Sequence, residues 1–386
     1  MKRITGSARA LLATAALLLV AGTASTASAA AGTTRWTSEK LPPGNVSLTG
    51  YAKPDAGTTW AAGFSVTGST MAPVLYANDE RDDRGWIEVP TAPGYTGRVN
   101  AVAASSTRDG WLVGDKARNG TTIATQHWDG TSWSLFEADA PPAASSAGYL
   151  SVVARSPTDA WAAGWATIVD SVTTDPNGET TQVTHREGIV GRWNGTAWQR
   201  MPLPQPYPSW NLNAITVVSA NDVWAVGNGT NDNDKPVSLH YDGHVWSVVP
   251  TPAFTGLYGE LYGVVAHGPN DVWAVGRTVL DPNDGGHALV MRWNGRAWRQ
   301  VTVPAEAGAL AGAAKVPGGI VTVGQKTASD AEPYGLRITA GQACSLDLPA
   351  PSPGGANYTS AVGVDRGRVT IVGSGAHRAQ ILTGRL

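Results

Sequence analysis

Carboxylates, carboxamides and flat aromatic rings crowd three stretches of the chain: WATIVDSVTTDPNGETTQVTHRE at 165–187, NGTNDNDKP at 228–236 and RTVLDPNDGGH at 277–287. Nearby segments add Tyr207, Trp210, Phe254, Tyr258, Glu260 and Tyr262. Three chemistries fit these residue types. In the first, Trp165, Tyr207, Trp210, Tyr258 and Tyr262 stack on the apolar face of a sugar or peptide while Asp175, Asp232, Asp281 and Asp284 take its hydroxyls or amides. The second is a Ca²⁺ site, since DPNDGG and NDND offer hard oxygen ligands, although neither has the spacing of a known calcium loop. The third is a hydrolase or lyase, in which two carboxylates among Asp175, Glu179, Glu187, Asp234, Glu260, Asp281 and Asp284 face one glycosidic bond and His185 or His287 serves as base. Solvated loops are often acidic with no ligand at all. The chain has no nucleophilic-serine motif, no H-E-x-x-H, no phosphate loop and no cysteine-based metal site.

What would position these residues is a repeat. NDVWAVG occurs at 221–227 and again at 270–276, and related stretches end in Gly63, Gly114, Gly164, Gly324 and Gly373. The steps between the seven glycines are 51, 50, 63, 49, 48 and 49 residues, the long one holding the 165–187 segment. Each unit carries four short apolar runs separated by turn residues, which reads as four strands. Asp129-Gly130, Asn194-Gly195, Asp242-Gly243 and Asn294-Gly295 supply the hairpin turns between third and fourth strands. Seven four-stranded units of this period predict an all-β, seven-bladed β-propeller of antiparallel blades. Counting back 13 residues from each repeat glycine reaches Gly50, Ala101, Ser151, Ala214, Gly263, Ala311 and Ser360, all small, as an innermost strand beside a crowded channel requires.

Fourth strands centre on Trp86, Trp133, Trp198, Trp246 and Trp298, with Cys344 aligned to the same position, but the seventh unit ends at Leu386 without one. Residues 35–42, RWTSEKLP, match a fourth strand and precede the first complete unit. The N-terminal strand is therefore expected to complete the last blade and close the ring. In such a ring, the second-to-third-strand loops and the blade-to-blade connections share one face. The three candidate stretches then converge on the sector of the third, fourth and fifth units.

The repeat also says which conspicuous residues belong to the scaffold. Of 16 Trp, 14 recur on second, third or fourth strands, leaving Trp165 and Trp210 over. Asp109, Asp159, Asp222 and Asp271 each stand two residues before a Trp and are expected to bond nearby backbone N–H groups. His127, Arg192, His240 and Arg292 share one repeat position, which suggests hydrogen bonds between blades. Cys344, in a core Trp position, is expected to be buried and inert.

Residues 1–29 combine Lys2, Arg3 and Arg9 with an apolar run from Leu11 to Ala21 and an Ala27-Ser28-Ala29 cleavage site, the pattern of a secretory signal peptide. Its loss leaves 25 of 28 basic residues against 30 acidic ones, a net charge of -5. That balance gives nucleic acid no electrostatic footprint. The expected product is a secreted monomer, residues 30–386, with no membrane segment and no internal disulfide, since Cys344 is the sole cysteine.

The units resemble the kelch and galactose-oxidase-like propellers, in which a glycine-ended second strand is followed by an aromatic on the third strand and a Trp on the fourth. Here these are Trp128 and Trp133, Trp193 and Trp198, Tyr241 and Trp246, and Trp293 and Trp298, five apart each time. Kelch repeats carry a double glycine where this chain has one. The DVWAVG and WDGTSW units are similar to those of exported bacterial propellers, many without an assigned activity. The resemblance implies the fold. Copper chemistry of the galactose-oxidase kind would need a cross-linked cysteine, and Cys344 aligns with a core Trp. The sequence thus favours a recognition module for an extracellular glycan or peptide, the alternative being a carbohydrate-active hydrolase or lyase built on the same sector.

Overall fold

The computed structural model describes residues 35–386 except 117–121, 231–234, 254–255, 282–285, 327–331, 340–341, 350–356 and 376–377. The leader falls outside the described residues, as do Asp232, Asp234, Phe254 and Asp284. The strands form seven blades in chain order: 46–88, 97–139, 144–200, 210–248, 258–300, 307–346 and 357–385. Within each, consecutive strands pair antiparallel, and blades 2 and 3 touch edge to edge through Gly148 and Asp115. The seventh blade has three strands of its own. Its fourth is Thr37–Ser38, paired with Arg378–Arg385 through Thr37↔Thr383 and Ser38↔Leu382. Glu39 extends the latch: its N–H donates to the Ile381 carbonyl at 2.9 Å and its carboxylate accepts from Thr383 Oγ1 at 2.6 Å. The ring is closed as the unmatched seventh unit required.

The repeat glycine has a steric cause. In every blade the first strand carries a register shift opposite the second strand, between Leu48/Gly50, Val99/Ala101, Tyr149/Ser151, Leu212/Ala214, Leu261/Gly263, Leu310/Gly312 and Thr359/Ala361. Such a bulge bends the strand. Just before it, the carbonyl of the residue preceding the glycine's own partner closes on the glycine: a Cβ at Gly63, Gly114, Gly164, Gly227, Gly276 or Gly324 would sit 1.9 Å from that oxygen. The small residue after the bulge faces the next blade. A Cβ on Gly50 would meet Val102 N at 2.8 Å, and one on Gly312 would meet Ser360 O at 3.1 Å. In blades 6 and 7 the shift falls one residue later, so Gly312 and Ala361, rather than Ala311 and Ser360, follow the bulge.

Aromatic rings hold the blades to one another. The second-strand Trp of each of the first four blades inserts against the third- and fourth-strand pair of the next. Trp60 meets Trp128 and Trp133, Trp111 meets Trp193 and Trp198, Trp161 meets Tyr241 and Trp246, and Trp224 meets Trp293 and Trp298, at centroid distances of 4.8–6.3 Å. The five-residue spacing follows from a four-residue turn. Asp129, Asn194, Asp242 and Asn294 accept from the N–H groups two and three residues on, and the following glycine takes positive φ, 87° to 96°.

Three scaffold expectations need correction. The repeat aspartates bind side chains, not backbone: Asp109 pairs with His127 at 2.8 Å, Asp159 with Arg192 at 3.4 Å, Asp222 with His240 at 2.9 Å and Asp271 with Arg292 at 2.7 Å. These pairs lie within a blade, not between blades, because the partners sit on adjacent second and third strands. Each His or Arg also covers the ring of its own blade's Trp, at 4.3–4.9 Å, with Trp111, Trp161, Trp224 and Trp273 beneath. Cys344, expected buried, is an exposed free thiol. It pairs with Arg337, whereas Ala343 pairs with Ile338 in the register of the core Trp, and a one-residue offset reverses the face.

Candidate functional site

The 165–187 stretch is not a loop. Asp159–Thr174 and Thr180–Trp193 run on as one long hairpin arm, paired from Ala160↔Trp193 out to Thr174↔Thr180. Its Val/Thr alternation and the turn at Asp175-Pro176-Asn177-Gly178 account for this. Asp175 is consumed in the turn, accepting from Asn177 N at 2.9 Å and Glu179 N at 2.8 Å. Trp165 is half-buried under the Arg186 guanidinium, 4.7 Å from its ring. On the arm, His185 bonds Asp170 at 2.7 Å and Glu187 at 3.4 Å. Burial opposes its charged form, but these two carboxylates outweigh it and raise the imidazole above its ordinary value.

Elsewhere the expected sector is largely self-satisfied. Trp210 is a core residue, 2% exposed, with its ring where a side chain on Gly188 would go, so its faces are closed to a ligand. Tyr207 packs half-buried on the same cluster. Tyr262 donates to Glu260, and Arg277 Nε reaches the same carboxylate oxygen at 2.5 Å with its guanidinium 6.0 Å over the Tyr262 ring. Burial first, then the Glu260 charge, raises the Tyr262 phenol far above its usual range. Tyr258 is tied into the sheet, its carbonyl accepting from Thr278 Oγ1 at 3.2 Å. Asp281 is exposed, midway along the 277–287 stretch. Asn211, Asn213 and Asn228 form an amide chain, and Asn213 Nδ2 reaches the Leu261 carbonyl of blade 5 at 2.8 Å. Of the named residues, Asp175, His185, Glu260 and Tyr262 have their polar groups taken up by protein partners. Among the described residues, no group of three or more His, Cys, Asp or Glu is placed to hold a metal ion.

A different site stands out between blades 1 and 2. A cleft of about 600 Å³ is floored by Trp60, walled by Trp128, Trp133, Leu75, Ile87 and Pro90, and rimmed by Arg81 and Arg84. Its origin is a gap in the repeat. Thr58 stands where the other Trp-bearing blades have Asp, and Ala77, paired with Trp60, stands where they have His or Arg. Thr58, Trp60, Leu75, Ala77, Ile87 and Val89 alternate onto the face of blade 1 that meets blade 2, so without the cover the cleft reaches in as far as the ring. Trp60 and its neighbours stay packed: Trp60 and Trp133 are each 6% exposed, against 0% for Trp111 and Trp161.

The mouth of the cleft is charged. The turn after Thr70–Asp79 brings Arg81 to three partners: Asp79 at 2.6 Å, Asp55 at 3.1 Å and Thr58 Oγ1 at 2.7 Å. Arg84 pairs with Asp82 at 2.7 Å. Hydrogen bonds from Arg81 hold Asp79 below its usual range, and those from Arg84 do the same for Asp82. Arg81 remains largely exposed, its side chain 59% accessible. The candidate list from sequence missed this site. Its signal was a subtraction, the loss of the Asp and the His or Arg from one unit that keeps its Trp.

No known family profile matches the chain, and no curated protein matches it. Solved structures do match in fold. A structure titled YCF48 bound to D1 peptide aligns with TM-score 0.56 and 12% identity, covering 91% of this chain and 97% of that one. YCF48 from Cyanidioschyzon merolae aligns at TM-score 0.57 and 11% identity over 91% and 98%. The WD40 β-propeller domain of Doa1 aligns at 0.54 and 12% over 90% and 96%. Together with the seven four-stranded blades, these likenesses establish the chain as a β-propeller.

Proposed function

We propose that the protein is an exported, non-catalytic recognition module of the kelch-like kind that binds an extracellular peptide segment in the cleft between blades 1 and 2. The single observation that carries this reading is the cleft itself, an aromatic-floored hollow made by deleting one recurring plug from an otherwise repeated interface. Pockets of this size and apolar lining suit a side chain and its flanking backbone. A propeller of similar fold whose structure is titled with a bound peptide supports the choice of peptide over glycan. The hydrolase alternative loses support because Asp175 caps a turn and Glu260 is neutralised by Arg277. Export rests on the leader pattern of residues 1–29.

The test is a random-peptide display library panned against immobilised protein, with a polysaccharide panel assayed in parallel for binding and for released oligosaccharides. Enrichment of peptides that Ala77→Arg no longer retains is the expected outcome. Polysaccharide turnover, or glycan binding indifferent to Ala77→Arg, would overturn the reading.

A further inference from the structure

We propose that the cleft selects an arginine side chain of the peptide, which supplies in trans the plug that blade 1 lacks; this rests on the peptide-binding reading above. Four sibling sites show what this interface accommodates. Over Trp111 and Trp224 lie His127 and His240, and over Trp161 and Trp273 lie Arg192 and Arg292, each planar, each within 4.9 Å of the ring and each paired with an aspartate. Among the described residues, no cation is placed over Trp60. A guanidinium fits the chemistry of both ends of the hollow. Its methylene stem can pack on Leu75, Ile87 and the Trp rings while the planar head lies against Trp60.

The mouth supplies the counter-charge. Asp55 and Asp79 lie beside Thr58, at the end of the cleft where sibling blades hold their aspartate, and Arg81 now occupies them. Because Arg81 is largely exposed and extends from a turn, an incoming guanidinium can take its place on these carboxylates without disturbing the sheet. Arginine is preferred to lysine here because a flat, weakly hydrated head stacks and pairs at once.

The experiment uses short blocked peptides identical but for one central residue, Arg, citrulline, Lys, Phe or Ala, immobilised for surface plasmon resonance with the full mature chain. Citrulline keeps the shape of arginine and removes the charge. The Arg peptide is expected to bind about tenfold more tightly than the citrulline and Phe peptides. Arg81→Ala is expected to strengthen its binding, and Thr58→Asp with Ala77→Arg, which rebuilds the sibling plug, to abolish it. Amide shifts of Gly85, Thr131 and Ser132 in the unmodified protein locate the peptide independently of any variant. Arg and citrulline peptides of equal affinity, or a preference for Phe, would overturn the arginine assignment while cleft-directed peptide binding stood. If no peptide shifts the cleft amides, both readings fall.

Discussion

Gly227→Ala tests the steric account of the repeat. The added methyl would lie 1.9 Å from the Asn211 carbonyl oxygen and 2.8 Å from Leu212 Cα, whereas real Cβ atoms almost never come within 3.0 Å of a heavy atom. The obstacle is backbone on both counts, so no rotamer relieves it. The first strand must retreat by about 1 Å at its bulge, where Asn211 and Asn213 anchor the amide chain and the bond to Leu261. Overpacking of this severity costs about 3 kcal/mol or more. For a chain of this length each kcal/mol lowers the melting temperature by about 2 °C, so a fall of about 6 °C is expected. Gly268→Ala is the control: nothing lies within 4 Å of its Cβ, and its φ lies outside the left-handed region. It should melt at or slightly above the parent, through lost unfolded-state entropy of up to about 1 kcal/mol. Calorimetric melts and urea titrations of both variants decide the matter. A Gly227→Ala protein within about 1 °C of the parent would refute the idea that the glycine exists to admit the Asn211 carbonyl.

Other perturbations address the interfaces, the arm and the latch. Trp224→Ala, removing a ring 1% exposed between blades 4 and 5, should cost about 3–5 kcal/mol in urea unfolding. Thr58→Asp with Ala77→Arg should raise stability by about 1 kcal/mol, read as a melt about 2 °C higher, since a stacked, paired cation replaces empty space. His185 should titrate above 6.5 by NMR and fall toward 6.5 in Asp170→Asn; its favourable contribution is complete below the unfolded value near 6.5 and disappears as pH rises through the higher folded one. Trp36→Ala, which strips the latch of its contact with the Val316–Leu382 cluster, should cost about 2 kcal/mol and lower the melting temperature by about 4 °C.

The architecture was legible because every blade solves the same steric problem with the same residues. Glycine admits a carbonyl, a small residue admits the next blade, and Trp fills the gap between sheets, so period and register emerge from the letters alone. Side-chain partnerships were less legible. Asp222 and His240 are 18 positions apart, and only the strand pairing shows that they meet within a blade. Cys344 misled for a related reason, since the fourth strand of blade 6 puts Ala343, one residue earlier, in the register of the core Trp. The candidate sector failed where local pattern was mistaken for loop: the Thr/Val alternation of 168–184 extends the hairpin, and Trp210 reads as surplus only until the blade 3–4 interface is seen to need it. Carboxylates such as Glu260 looked available because Arg277, 17 residues away, could not be known to face them.

Against such a background the loss of a scaffold feature is more informative than the presence of a reactive one. Blades 6 and 7 also depart from the Asp, Trp and His or Arg pattern, but there the Trp itself gives way to Val321 and Thr370, paired with Arg337 and Thr383. Both smaller residues are buried, at 0% and 7% exposure, so the sheets close without a plug and leave no ring to cover. Blade 1 differs in kind. It keeps the large ring of Trp60, keeps Trp128 and Trp133 opposite, and gives up only the cover, placing Ala77 where a stacked cation would stabilise the interface by about 1 kcal/mol. Packing alone gives no reason for that combination, since either the repeat's own plug or a smaller ring would fill the space better. A ligand that covers Trp60 does give one.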